Sequence, residues 1–267
     1  MRPANARFAY HPGMRVQAVF LDLDDTLLDN TAGEWTQTVR TVCAQLSERA
    51  SDGADSLNPE ALFLAYMRIT SEYFRAAQVR YELVADGHAV WRDWWRQALA
   101  ECGYADEALA DVAVIAYESD RAARYTLYSD VLPTLSRLRE QVPALVLITN
   151  GLGSTQRHKA DATGLTALMD AVIISGEAGV AKPDPAIFGL AADAAGVPLA
   201  AAWHVGDNLS TDIAGARNAC LGAGVWLNRA GAAHPGEPIT RPDYEIAGLA
   251  DLPALLAESS PAGKTVY

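Results

Sequence analysis

The sequence is poor in cysteine, in positive charge and in long apolar runs. Its 267 residues include three cysteines, Cys43, Cys102 and Cys220, far apart and odd in number. None of the paired spacings used for zinc or redox centres occurs, so reduced thiols in a cytoplasmic protein are the simple expectation. Lys and Arg number 21 against 33 Asp and Glu, a formal net charge of −12. That balance argues against a nucleic-acid polymer as partner, because nonspecific binding to one needs clustered Lys and Arg. An anionic small molecule stays open, provided local positive charge overcomes the global field. No apolar run approaches the ~18 residues of a membrane span, so no membrane partner is expected. The opening segment MRPANARFAYHPG also lacks the apolar stretch of a signal peptide. Met14 directly precedes RVQAVFLDLD and is a candidate translation start, with residues 1–13 a flexible N-terminal extension.

What the sequence does contain is a packed globule's composition, 50% hydrophobic and 20% charged. Five short apolar runs read as buried parallel strands: VQAVFLD (16–22), ALVLITN (144–150), DAVIIS (170–175), AAWHVGD (201–207) and GAGVWLN (222–228). Continuous apolar runs suit strands covered on both faces. Helical patterns lie between the later ones, as in Leu132, Leu135 and Leu138, or Ile187, Leu190 and Ala191. Alternating strand and helix predicts an α/β fold with a doubly wound, Rossmann-like parallel sheet as its core.

The gap between the first two strands is too long for one crossover. Trp35, Val39, Val42 and Leu46 recur at helical spacing, as do Leu62, Tyr66, Ile69 and Tyr73, and then Trp91, Trp94 or Trp95, and Ala98. The expected organisation is a core of residues 14–30 and 126–257, a helical cap over 31–125, and a flexible tail at 258–267. ASDGADSLNPE (50–60) and ADGHA (85–89) read as loops within the cap.

The first strand ends in VFLDLDDTLLD (19–29), with four aspartates in eleven residues. Residues two apart on a strand share a face, so Asp22, Asp24 and Thr26 are expected to converge. Close carboxylates repel unless a proton or a cation relieves them, and a hard divalent ion such as Mg²⁺ does so well. Asp25 and Asp29 read as turn and cap residues. D-x-D-x-T by itself equally fits a polar turn. Other strand ends carry matching chemistry, however: Thr149 and Asn150 close LVLITNG, Asp207 closes WHVGD with Asp212 five residues on, and Lys182 precedes a proline-marked helix. Each of these also has a structural reading as a strand-end cap, a loop lysine or a first-turn carboxylate.

Taken together, Asp22-x-Asp24-x-Thr26, Thr149, Lys182 and Gly206-Asp207…Asp212 resemble the four signature motifs of the haloacid dehalogenase-like hydrolase superfamily, in its helical-cap subclass. Within it, LDLDDTLLDNTAG, LITNG, KPDPAIF and VGDNLSTDIAGARNA resemble the N-acylneuraminate-9-phosphatase branch and its nucleotidase relatives. The resemblance implies a Mg²⁺-dependent phosphatase acting on a small-molecule phosphate ester: a sugar phosphate, a sugar acid phosphate or a nucleoside monophosphate. It implies Asp22 as nucleophile forming an aspartyl-phosphate, and Asp24 as general acid and then base. Thr149, Asn150 and Lys182 would bind the phosphoryl oxygens. Asp22, Asp207 and the backbone carbonyl of Asp24 would ligate the metal, with Asp212 and Thr26 in support. The alternatives are a phosphomutase on the same core, a haloacid dehalogenase, or a non-catalytic binding protein.

Other residues carry weaker signals. Gly151 and Gly153 suit a tight turn near phosphate, and His204 within a strand suits a satisfied core histidine. Arg157, His158 and Lys159 read as a solvated helix face, with substrate contact as the alternative, and Trp91, Trp94 and Trp95 as bundle core. Trp35, His88 and Arg92 are candidates for touching the leaving group, with Arg80 a more distant one.

Overall fold

Six parallel strands form one sheet in the order β3-β2-β1-β4-β5-β6. They are β1 (Ala18–Leu21), β2 (Ala144–Thr149), β3 (Ala171–Ile174), β4 (Ala202–Gly206), β5 (Ala223–Leu227) and β6 (Tyr244–Ile246). The computed structural model describes residues 15–29, 32–50, 56–76, 83–234, 236 and 240–259. The extension at 1–13, the start at Met14, Arg80 and residues 260–267 of the expected tail lie outside those residues. Glu258 and Ser259, also assigned to that tail, instead complete the last helix, Leu252–Ser259.

The apolar runs become strands because both faces of the sheet are covered. Val19 and Leu21 join Leu145, Leu147, Val205 and Val225 in one buried cluster. Ala18 and Phe20 point the other way, into a cluster with Val146, Ile148, Ile187 and Phe188. This is the period-two alternation of a strand, with neither side left to water. β6 lacks such a run: Tyr244 and Glu245 are not fully buried, and only Ile246 is. That is why the sequence pattern passes over it. Two helix faces also differ from expectation. Leu132 and Leu190 are exposed, and the buried stripes run through Val131, Leu135 and Leu138, and through Ile187, Phe188 and Ala191.

Between β1 and the helix preceding β2, the described residues form four helices: α1 (Ala32–Arg49), α2 (Pro59–Ala76), α3 (Gly87–Glu101) and α4 (Glu107–Arg124). They share an apolar cluster separate from the sheet's, centred on Val39, Leu46, Tyr66, Trp95 and Tyr117. Tyr66 and Trp95 pack with ring centroids 4.1 Å apart and planes tilted by 30°, a contact worth ~1 kcal/mol beyond area burial. The helix α3 begins two residues earlier than the expected loop ends. Asp86 caps it by accepting from the Ala89 N–H, so 87–89 are helical.

The chain leaves and re-enters the core through a paired neck. The Asp29 N–H donates to Thr126 O at 2.8 Å and the Tyr128 N–H to Leu27 O at 3.0 Å. A second contact closes the far side, where the Gly153 and Ser154 N–H groups donate to Val84 O and Ala85 O, both at 2.8 Å. Glycine permits this approach. A Cβ on Gly176 would stand 2.4 Å from Val84 O, and one on Gly153 would stand 2.6 Å from Ala85 O.

Candidate active site

β1 and β4 are hydrogen-bonded neighbours, yet the chain winds from them toward opposite edges of the sheet. Ligands in open α/β sheets gather outside the strand ends at such a reversal. Asp22 leaves β1 and Asp207 leaves β4 at this point. The Thr26 hydroxyl lies 3.4 Å from Asp22 Oδ2 and 3.4 Å from Asp207 Oδ1. The expectation that Asp22, Asp24 and Thr26 share one strand face is corrected here. β1 ends at Leu21 and the chain turns sharply, with Asp25 at φ +58° and the Leu28 N–H donating to Leu23 O at 2.8 Å. That turn, rather than strand alternation, brings Thr26 under Asp22 and sends Asp24 toward a different set of partners.

Lys182 lies at the centre of the first set. Its ammonium donates to Asp22 Oδ1 at 2.5 Å, to Asp212 Oδ1 at 2.6 Å and to Ile148 O at 3.1 Å. Its backbone is pinned by Asn150, whose side-chain oxygen accepts from the Lys182 N–H at 2.8 Å and whose amide donates to Lys182 O at 2.8 Å. Asp212 reaches the lysine because residue 206 is glycine. A Cβ there would fall 2.2 Å from the Asp212 carboxyl carbon. The second Asp212 oxygen accepts from the Asn208 N–H at 3.0 Å. His204, buried as expected, sits with Nε2 2.9 Å from Asp212 Oδ1. Burial penalises the Asp212 charge, but Lys182 and His204 outweigh it and hold the carboxyl far below the usual range. For Asp22 the balance is reversed. Burial pushes its pKa well up despite Lys182.

Asp24 belongs to the second set. Lys159 donates to both its oxygens, at 2.7 and 2.9 Å. The Gln156 amide donates to Asp24 Oδ2 at 2.7 Å and to Thr149 Oγ1 at 2.6 Å. Burial raises the Asp24 pKa, and Lys159 with Gln156 more than reverses it, leaving the group below the ordinary value. Lys159 is therefore no part of a solvated face, being 5% exposed, and Gln156 is 2% exposed. Both were missed in the sequence. Their three-residue spacing on the helix Gly153–Ala162 puts them on one side of it, and that is the signal available to find them.

Asp22, Asp207 and Asp212 each offer a carboxylate oxygen, all within 4.8 Å of one another. Asp212 has both oxygens engaged. Asp207 forms no ion pair with any described Lys or Arg, and burial, then Asp212 and Asp25, push its pKa up to about 6. Two hard oxygen donors with their charges insufficiently compensated fit a divalent cation between Asp22 and Asp207.

A cavity of about 690 Å³ opens beside Asp24. The core contributes Asp24, Asn150, Gly151, Gln156 and Lys159 to its wall, and the helical insert contributes Trp35, Phe74, Trp91, Trp94, Tyr117 and Arg121. Of the three leaving-group candidates with described side chains, only Trp35 lines it. His88 is turned to Glu118, 2.9 Å away, and Arg92 to Glu107 and Asp111, so both are corrected to polar contacts outside the cavity wall. Trp91 and Trp94 belong to the bundle core and also form cavity wall, while Trp95 is core only.

The family model for haloacid dehalogenase-like hydrolases matches residues 16–219. The chain belongs to that family. This hydrolase is 34% identical over 249 residues to the N-acylneuraminate-9-phosphatase of Rattus norvegicus, covering 91% of this chain and 94% of the relative. It is also 34% identical over 260 residues to the phosphoserine phosphatase of Thermus thermophilus, covering 91% and 100%. Among solved structures, a 2-haloacid dehalogenase from Pseudomonas syringae superposes with a TM-score of 0.69 at 29% identity, covering 91% and 99%. Among the described residues no helix is long and apolar enough to cross a membrane.

Proposed function

We propose that this haloacid dehalogenase-like hydrolase is a Mg²⁺-dependent phosphatase of small phosphorylated metabolites. The observation that carries the reading is the convergence of Asp22, Asp207 and Lys182 at the sheet's reversal, with Asp24 held nearby by a separate ion pair. The phosphatase relatives along nearly the whole chain support it.

Phosphate monoesters hydrolyse so slowly that enzymes supply up to ~10²¹-fold acceleration. Covalent catalysis divides that barrier. Asp22 attacks phosphorus, forming a P–O bond as the bond to the leaving alkoxide breaks. Asp24, whose pairing with Lys159 has to open for it to carry a proton, gives that proton to the alkoxide, then takes one from the water that cleaves the aspartyl-phosphate and releases phosphate. The Thr149 hydroxyl and the Asn150 N–H bind the phosphoryl oxygens at the end of β2, and Lys182 adds a fixed positive charge. Asp22, Asp207 and the Asp24 carbonyl would hold Mg²⁺. When bound, the ion neutralises phosphate charge that otherwise repels the Asp22 carboxylate. Asp212 acts by fixing Lys182.

The likeness to a dehalogenase structure raises a second reading, cleavage of a carbon–halogen bond. Halide leaves without a proton and without phosphoryl charge to neutralise. An acid at Asp24 and an uncompensated carboxylate at Asp207 therefore favour phosphoryl transfer. A phosphomutase would use the same groups but return the phosphoryl group to a sugar.

We assign residues 31–125 as a cap and residues 14–30 and 126–257 as the core, with the substrate's leaving group in the cavity between them. The three free thiols support a cytoplasmic setting. A panel of phosphate esters tests the function, including an acylneuraminate 9-phosphate, phosphoserine and pyrimidine monophosphates, each with Mg²⁺ and with chelator. Chelator-sensitive release of inorganic phosphate is expected. Absence of phosphate release from every ester would refute it, and an isomerised sugar phosphate would establish the mutase.

A further inference from the structure

The cavity has one positive charge that the chemistry above does not use. Three of its lining groups are charged: Asp24, Lys159 and Arg121. Lys159 is spent on Asp24, which it grips through both oxygens. Arg121 has no carboxylate partner among the described residues. Its direct contacts are aromatic, with Nη1 donating to Tyr117 Oη at 3.3 Å and the guanidinium carbon 5.8 Å from the ring centroids of both Tyr117 and Tyr125, while its charge also reaches Asp24 and helps hold that carboxyl's pKa down. Aromatic faces stabilise a guanidinium modestly and leave its planar fork of donors available for a bidentate anion. Five other arginines of the insert are tied to carboxylates: Arg40 to Glu60, Arg68 to Glu72 and Glu101, Arg92 to Glu107 and Asp111, Arg96 to Asp93, Arg124 to Asp120.

Its position is fixed. Arg121 and Tyr117 are four residues apart on α4, and the Tyr117 oxygen also accepts from Trp35 Nε1 of α1 at 2.8 Å. Two packed helices thus set the guanidinium on the insert side of a cavity whose core side is lined by Asp24, Asn150 and Gln156. Between them, Trp35, Phe74, Trp91 and Trp94 offer flat apolar wall. About 690 Å³ is within the range that holds a drug-sized ligand, well beyond phosphate.

We propose that Arg121 receives a carboxylate of the leaving group, so that the substrates are phosphate monoesters of hydroxy acids. This rests on the phosphatase reading and narrows it. A single carboxylate matches the single available charge. A second phosphate would bring up to two negative charges against that one, in a chain whose net charge is −12.

The test compares three esters on one six-carbon frame: gluconate 6-phosphate, glucitol 6-phosphate and glucitol 1,6-bisphosphate, with p-nitrophenyl phosphate as a generic ester, all with Mg²⁺. The wild type is expected to prefer gluconate 6-phosphate over glucitol 6-phosphate by roughly 10- to 100-fold in kcat/KM, the range of a charge-assisted hydrogen bond. Arg121→Met should bring that ratio toward one through a higher KM for the acid, and Arg121→Lys should keep part of it. If Arg121→Met does not fold, the wild-type ratio still decides. Turnover of p-nitrophenyl phosphate without any preference for the acid, including no turnover of all three sugar esters, overturns the Arg121 assignment alone. So does a preference for the bisphosphate. No turnover even of p-nitrophenyl phosphate overturns the phosphatase reading beneath it.

Discussion

Asp212 holds Lys182 2.6 Å away while Asp22 holds the same ammonium from the other side at 2.5 Å. The two carboxylates are not equivalent. Asp212 is stabilised as an anion by its surroundings, and Asp22 is strained as one. That asymmetry suits a nucleophile whose charge is poised for transfer to phosphorus, supported by a neighbour that never releases its own.

Asp22→Asn should therefore separate activity from stability. Turnover is expected to fall by at least ~10⁴-fold, as when a nucleophile is removed. Stability in urea should drop by no more than ~1 kcal/mol, because Asp212 still pairs Lys182. Asp212→Asn should cost more, ~1–3 kcal/mol, because Asp22 still pairs Lys182 but the contacts of Asp212 with His204 and the Asn208 N–H are weakened as well. Equal destabilisation by the two variants would contradict the asymmetry.

Magnesium should stabilise the protein more at about pH 7.5 than at about pH 5. The Asp207 pKa is raised to about 6 from 3.8. Between those values the folded metal-free chain binds more protons than the unfolded one. This group's contribution to stability is thus fully present below about 3.8 and falls as pH rises to about 6. Above that window Asp207 is ionised and free to take a cation, which offsets the loss. Melting temperatures with and without Mg²⁺ across the range would show it, and a pH-independent increment would exclude Asp207 as a ligand.

Lys159→Met should move the pH profile of alkyl-ester hydrolysis. Without Lys159, burial would dominate and Asp24 would keep its proton to higher pH. The alkaline fall in kcat/KM should shift upward while aryl esters, whose leaving groups need less protonation, respond less. Superimposable profiles for wild type and variant would remove Lys159 from any role in setting Asp24.

Gly176→Ala should loosen the contact between insert and core. Its Cβ would meet backbone on both sides, at Val84 O and Gly153 N, and neither can swing away as a side chain could. A cost of ~1–3 kcal/mol is expected, with faster amide exchange at Gly153 and Ser154, whose N–H groups donate across that contact. Exchange rates at those amides no different from wild type would show the contact to be tolerant.

His88→Ala and Arg92→Ala should leave kcat/KM within about twofold and stability within ~0.5 kcal/mol, since both make partly exposed polar contacts away from the cavity. A tenfold rise in KM for either would return it to the substrate site.

The sequence by itself determined the sheet's five longer strands, the helical insert and the chemical groups at the strand ends. Burial on both faces writes a continuous apolar run into the chain, and a strand's last residue is readable where that run meets Asp or Thr. Tertiary structure decided which groups pair. Lys159 and Gln156 read as surface because a helix face shows its neighbours only once packed, and theirs are Asp24 and Thr149, 135 and 7 residues away respectively by chain position. Arg92 and Arg121 are the same residue type on adjacent insert helices. Folding turned one to carboxylates at the surface and the other to tyrosines at the cavity wall. Local spacing cannot carry that difference, because it is set by which helices pack together and by how each face is turned.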